Sequence, residues 1–264
     1  MPKNIVFLTS VKNPNHNKKY GGFDWMEYSK KTWEYWCKKN NCELFIYNTP
    51  SNPDFKNYRI TWQRWFDVFT QLENNNIKYN NILMVDATSM VKWDTPNIFD
   101  LLKDDNMVAW RDADNMQWIY DSIQGYKDMF SNKNIDIKKY INCGAVIINK
   151  KHKKFLNSLK EFYKKNHKSI VEAETYKVKL GTDQTPFNYF LQLHNIKVNI
   201  NLPVAYSLTH MHRKHMLVHN WQLNEDKTPF FIKYGYVWRF NGFSKDKRTD
   251  FMSQTWEIVK ENYV

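Results

Sequence analysis

The sequence predicts an α/β fold, a mixed and mainly parallel sheet flanked by helices. Short apolar, β-branched runs alternate with longer segments whose apolar residues recur at helical spacing, the pattern of βαβ units. Turn-forming residues separate them, with no internal repeat and no linker. At 264 residues the chain is long enough for a sizeable core and short for two full-sized domains, so 1–264 reads as one domain.

The elements follow in order. Residues 5–8 (IVFL) read as a buried first strand, and 13–22 as a polar loop. Asp24 opens a helix carrying Trp25, Tyr28, Thr32 and Trp36, with Glu27 at capping-box spacing. Residues 43–47 form a second strand. A helix over 58–72 places Trp62, Trp65, Phe66, Phe69 and Leu72 on one face. Residues 81–85 (NILMV) are a buried strand ending at Asp86. Thr95 and Pro96 look like a helix start, Thr as cap and Pro at the first helical position. Residues 107–110 and 145–148 are further strands, the second one central. Helices follow around Phe155–Phe162 and after a cap at Thr182. Residues 198–202 and 236–240 are late strands, and 249–262 is a closing helix.

Composition narrows the function classes. A hydrophobic share of 42% and a charged share of 25% exclude wholesale disorder. Aromatics reach 17%, with 11 Trp, which fill cores and also stack on flat ligands and sugar faces. The net charge of +12 suits an acidic partner: nucleic acid, anionic membrane or phosphorylated substrate. Yet only six of the 39 basic residues are Arg, and 31 residues are Asn. That bias favours drift in an AT-rich phage, viral or bacterial genome. Cys37, Cys42 and Cys143 are an odd number without metal-ligand spacing, which points to a reducing, cytoplasmic compartment. No signal pattern and no run of membrane-spanning length is visible, so any membrane contact is peripheral.

The chemistry points to acidic residues. No Gly-rich phosphate loop, nucleophile elbow or zinc signature is present. His210, His212, His215 and His219 cluster in a segment without periodicity and read as a solvated loop. Asp86 stands where a buried strand ends, and Thr88, two residues on, faces the same side of an extended backbone. Together they could hold a hard cation that also grips phosphate oxygens.

Four segments in order carry a family resemblance. Residues 82–96 read ILMVDATSMVKWDTP, 140–150 YINCGAVIINK, 181–191 GTDQTPFNYFL, and 237–245 VWRFNGFSK. They resemble the D-x-D strand, the Asn-x-Gly strand, the Asp-Gln helix start and the late H-F-x-G-x-x-K segment of GT-A nucleotide-sugar glycosyltransferases. Within that class the galactosyltransferase and glycogenin-like families are the most similar. The resemblance implies a Rossmann-like GT-A fold and a nucleotide-sugar donor, a UDP-sugar first. It implies manganese or magnesium held by Asp86 and Thr88, with Asp112 and Asp114 as a backup pair. Thr9 and Ser10 would lie near the nucleotide base. Arg64, Asp86, Ala87, Thr88, Arg239, Gly242 and Lys245 would bind the donor's remaining parts, and Asn142, Cys143 and Gly144 its sugar. Asp183 would be the base of an inverting reaction, and Gln184 would lie under the anomeric carbon of a retaining one. Two positions depart from the pattern: Thr88 stands for the second Asp, and Arg239 for a metal-binding His. They leave metal dependence open. The acceptor expected is a glycan or glycolipid hydroxyl. The alternatives are a hydroxymethylated base in phage or viral DNA, and a non-catalytic module that binds a glycan or polyanion.

Overall fold

A computed structural model describes residues 2–12, 23–54, 58–112, 115–177, 183–206, 228–243 and 245–264. Its strands are β1 (Lys3–Thr9), β2 (Glu43–Tyr47), β3 (Tyr79–Asp86), β4 (Ser89–Val91), β5 (Met107–Arg111), β6 (Ile141–Asn149), β7 (Val198–Asn199) and β8 (Val237–Arg239). Its helices are α1 (Trp25–Lys39), α2 (Ile60–Asn74), α3 (Met116–Tyr126), α4 (Lys153–Glu172), α5 (Gln184–Leu193), α6 (Phe230–Tyr234) and α7 (Lys245–Val259). Six strands join in a mixed sheet in the order β2-β1-β3-β6-β5-β7, and β4 pairs with β8. This is the α/β class the alternating pattern predicts.

The chain divides into two compact units, residues 1–2, 49–83 and 102–201 in the first and 3–48, 84–101 and 202–264 in the second. The first unit is built around α2, which buries polar as well as apolar residues. Trp62, Trp65, Val68 and Leu72 are at most 1% exposed, and Gln63, Arg64 and Asp67 are buried beside them. Aromatic contacts fill its core: Trp62 lies 4.5 Å from Tyr163, Trp65 4.4 Å from Phe187, and Phe130 stacks on Tyr189 at 4.1 Å. Each such pair adds roughly 0.5–1.5 kcal/mol beyond the area it buries. β5 runs antiparallel to β6 and parallel to β7.

In the second unit β1 and β2 pair in parallel, and Phe7 stacks on Phe45 and Tyr47. α1 buries Trp25, Met26, Trp33 and Trp36. A buried indole N–H needs an acceptor. Trp33 Nε1 donates to Ser89 Oγ at 3.2 Å, and Trp36 Nε1 to the Thr95 carbonyl at 3.1 Å. The turn after β3 is thereby fixed against α1.

Several local expectations change. Asp24 does precede α1, but its backbone is already helical (φ −60°, ψ −31°) and its side chain makes no cap bond. Glu27 pairs with Lys30 at 2.7 Å instead of closing a capping box. Thr95 caps no helix: its hydroxyl donates to the Tyr236 carbonyl, and only a short 3-10 turn, Ile98–Leu101, follows. Asn97 supplies the cap, accepting from Phe99 N. β7 is shorter than expected, and α7 begins earlier. The 13–22 loop, Thr182 and the four clustered histidines lie outside the described residues.

Asn188, fully buried on α5, ties that helix to β6. Its Oδ1 accepts from Ile141 N at 2.7 Å, and its Nδ2 donates to the carbonyls of Ile141 and Gln184, both at 2.9 Å. Asn188→Ala strands these backbone groups without water. The expected loss is about 3 kcal/mol of unfolding free energy, read as a lower urea midpoint with unchanged slope. A midpoint equal to wild type would show that the α5–β6 tie contributes nothing to stability.

Candidate functional site

Two polar clusters gather the residues singled out in the sequence, one in each unit. That of the first unit starts from an irregularity in the sheet. Trp110 pairs with Asn142 and Ala109 with Val146, so residues 143–145 of β6 have no counterpart on β5. Bulges of this kind free backbone groups and re-aim side chains. Side chains take over the freed groups. Cys143 N donates to Gln184 Oε1 at 3.1 Å, the Cys143 carbonyl accepts from Arg64 Nη2 at 2.9 Å, and Gly144 N donates to Asn142 Oδ1 at 2.9 Å.

The amide nitrogens left over point at one carboxylate. Asp112 Oδ2 accepts from Asn142 Nδ2 at 3.0 Å and from Gln184 Nε2 at 2.7 Å. Asp112 directly follows β5, and its backbone N–H donates to the Tyr140 carbonyl at 2.9 Å. All three side chains are half-buried, so solute reaches them. Asp183 is placed differently. It is 5% exposed, and its Oδ2 accepts from Arg64 Nη2 at 3.0 Å and from Trp65 Nε1 at 2.5 Å. Arg64 Nη2 thus bridges Asp183 and the Cys143 carbonyl. Asp183 acts here as the counter-charge of a buried guanidinium. Asp112, ranked second in the sequence, is the more accessible carboxylate.

In the second unit β3 ends at Asp86, and Ala87 and Thr88 make a turn into β4. The turn is pinned on several sides. Ala87 N donates to the Thr9 carbonyl at 3.1 Å, Ser89 Oγ to the Asp86 carbonyl at 2.7 Å, and Phe240 N to the Thr88 carbonyl at 2.7 Å. β8 sets Arg239 opposite Ser89. The Arg239 head is therefore brought to Asp86, Nη2 to Oδ2 3.7 Å, with side-chain exposures of 5% and 27%. Gly242, at φ 78°, makes the left-handed turn that follows, a conformation that costs glycine least.

Arg248 on α7 was not foreseen. Its Nε donates to the Phe240 carbonyl at 2.9 Å and its Nη2 to the Phe243 carbonyl at 3.3 Å. Burial lowers its pKa, and the nearby Asp86 charge raises it again. Its rarity was the available signal, an Arg in a chain that otherwise uses Lys. Thr9 and Thr88 each have a hydroxyl without a hydrogen-bond partner among the described residues. Ser10 is 2% exposed and bonded to Met26 Sδ at 3.3 Å. Asp114 and the Lys245 side chain lie outside the described residues.

These donors do not fit a divalent cation. A carboxylate, a hydroxyl and a guanidinium replace the hard oxygen set such an ion requires. Among the described residues no three His, Cys, Asp or Glu side chains converge. The three cysteines are unbridged, and no described helix is long and apolar enough to cross a membrane.

No protein-family model matches the sequence, and no curated protein matches it. Solved structures do. A glycosyltransferase involved in glycosylating the major capsid of PBCV-1 matches with a TM-score of 0.58 and 11% identity, over 96% of this chain and 100% of that one. The WbbM bifunctional glycosyltransferase matches with a TM-score of 0.50 and 12% identity, over 99% of this chain. The match spans 51% of WbbM, about half its length. The chain has the GT-A glycosyltransferase fold.

One buried carboxylate lies beside the first cluster. Glu174 is 4% exposed, accepts from Trp62 Nε1 at 2.8 Å and lies 2.6 Å from Arg59 Nε. Burial outweighs both partners, Asp183 adds to the push, and the carboxyl rises to about 7 from an ordinary 4.5. The folded state therefore holds this proton over a range in which the unfolded chain has lost it. Stability from this group is full below pH about 4.5 and falls as pH rises through about 7, by on the order of 3 kcal/mol. Melting temperatures of wild type and Glu174→Gln across pH 5–8 test this. The difference should shift toward the variant as pH rises, and a pH-independent difference would refute it.

Proposed function

We propose that this chain is a glycosyltransferase that moves a sugar from a nucleoside-diphosphate sugar, a UDP-sugar first among candidates, to a hydroxyl of a glycan or glycolipid. The convergence of Asn142 and Gln184 on the accessible Asp112 carries the reading. An irregular strand, a helix start and a strand end together build a polar, solute-accessible group. Sugar hydroxyls need both donors and acceptors, and this cluster supplies both. The GT-A fold supports the same reading.

The roles follow from chemistry. The bond from the anomeric carbon to the diphosphate oxygen breaks, and its electron pair leaves on the diphosphate. The acceptor oxygen bonds to that carbon and gives up its proton. The leaving charge needs preorganised positive partners, and the proton needs a base. Asp112 binds a hydroxyl and takes the proton when the acceptor lies there. Gln184 and Asn142 orient Asp112, and Gly144 allows the sugar to approach the strand. Asp183 holds Arg64 and thereby the Cys143 carbonyl. The resemblance assigns Thr9 and Ser10 to the nucleoside, and Asp86 and Arg239 to its ribose and diphosphate.

Incubation with a panel of nucleotide sugars, assayed for free nucleoside diphosphate, tests the proposal. One donor should be turned over, faster when its acceptor is present. Asp112→Asn should lower kcat by about 100-fold or more with an unchanged melting temperature, and Asp86→Ala should abolish turnover. Silence across the panel, with no thermal shift from any donor, would leave a glycan-binding module as the better reading.

A further inference from the structure

We infer that three buried hydroxyls, on Ser122, Thr185 and Tyr140, set the hydrogen bond between Gln184 and Asp112 and are positioning residues for the transfer; this rests on the proposed function and deepens its account of Asp112. The need for them begins at the start of α5. Asp183 stands at the cap position there, but its side chain makes no cap bond. That carboxylate is spent on Arg64 and Trp65. A helix start without a side-chain cap frays, because its first N–H groups lack partners. Gln184 is the first residue of α5, so fraying would displace the amide that reaches Asp112.

Thr185, the next residue, holds this start from the side. Its Oγ1 lies 2.5 Å from Ser122 Oγ on α3 and 2.6 Å from Tyr140 Oη, just ahead of β6. All three residues are at most 2% exposed, so water does not compete for these bonds. A hydroxyl has one proton to donate and two lone pairs to accept with, and Thr185 uses that capacity to join two elements. Burial keeps the Tyr140 phenol protonated well above its ordinary range, and hydrogen bonding by Thr185 and Gln184 offsets only part of this. The phenol therefore serves as a fixed hydroxyl and not as a base.

Tyr140 ties both ends of the Gln184–Asp112 bond. Its carbonyl accepts from Asp112 N at 2.9 Å, and its phenol anchors Thr185 beside Gln184. The approach of amide to carboxylate is thus set through one residue. The three hydroxyls are too deeply buried to meet a sugar, and they act on it only through Gln184 and Asp112. A displacement of about 1 Å at such a pair can cost about 100-fold in rate.

Steady-state kinetics and side-chain NMR of the full chain test this together. Thr185→Val keeps the shape and removes the hydroxyl. Its kcat should fall by about tenfold or more with the donor KM within about threefold of wild type, and Thr185→Ser should restore most of the loss. In a Gln184→Ala background Thr185→Val should change kcat by less than about twofold, because the residue it acts through is gone. An equal loss in both backgrounds overturns the inference and leaves the glycosyltransferase reading standing. The Gln184 side-chain amide signal reads the same bond without turnover. Asp112→Asn should move that signal in the wild-type chain, and Thr185→Val should remove most of the response. A response that Thr185→Val leaves unchanged overturns the inference. If no nucleotide sugar is turned over, the proposed function fails and the amide signal alone decides whether the hydroxyls set the Gln184–Asp112 bond. Should Thr185→Val not fold, Tyr140→Phe, which drops one of the two links, takes its place with the same expected direction and the same overturning outcomes.

Discussion

At Cys143 the backbone of β6 runs past its partner strand without being matched, and its N–H and C=O must find other partners. A buried amide left unpaired costs about 1–3 kcal/mol, so the chain brings in Gln184, Arg64 and Asn142 to satisfy the freed groups. Much of the first unit's polar architecture follows. Gln184 has spent its oxygen on Cys143, so its nitrogen is left to donate, and it donates to Asp112. Asn142 repeats the arrangement, with its oxygen on Gly144 and its nitrogen on Asp112. A structural need thus orients two amides, and their orientation builds a carboxylate with fixed neighbours. Glu at position 184 could not do the same, since it would place a second negative charge against Asp112.

Arg64 shows the cost of this solution. A guanidinium buried to 2% exposure needs a counter-charge, and Asp183 supplies it. Removing one partner of such a pair costs about 3–5 kcal/mol, because the other is then buried alone. The Asp183 carboxylate is therefore committed to the scaffold. That commitment separates it from Asp112, although both are acidic residues beside the same bulge.

The regular fold was legible because apolar, β-branched runs mark strands whatever surrounds them, and 43–47 reads as β2 without correction. The long aromatic helix was legible for the same reason. α3 was missed because its sequence, MQWIYDSIQGY, mixes apolar and polar residues and carries a glycine near its end. What starts it is local: the Asn115 side chain accepts from Trp118 N at 2.9 Å, and a lone Asn does not announce a cap. Thr95 misled in the opposite way, since its hydroxyl is used by a carbonyl 141 residues away. The site was half legible. The motifs placed Asp86, Asn142, Asp112 and Gln184 correctly on strand ends and a helix start. The burial of Asp183 depends on Arg64 and Trp65, 119 and 118 residues distant, and no spacing rule reaches so far.

The net charge of +12 is a poor guide to where charge matters. Most of it is Lys, and most of the lysines that pair among the described residues do so on exposed surface, as Lys153 with Glu73, where an ion pair contributes about 0–1 kcal/mol. Three of the arginines are used otherwise. Arg64, Arg239 and Arg248 sit against backbone carbonyls and carboxylates in places where water is scarce. Lys could not replace them there. Arg248 reaches two carbonyls from two nitrogens of one plane, and an ammonium offers a single point of charge. A bias toward Lys-rich composition can therefore fill the surface without touching the sites, because planar, forked donors are needed only where several acceptors converge. Arg64, Arg239 and Arg248, three positions at which the sequence departs from its lysine habit, place their charge against buried acceptors.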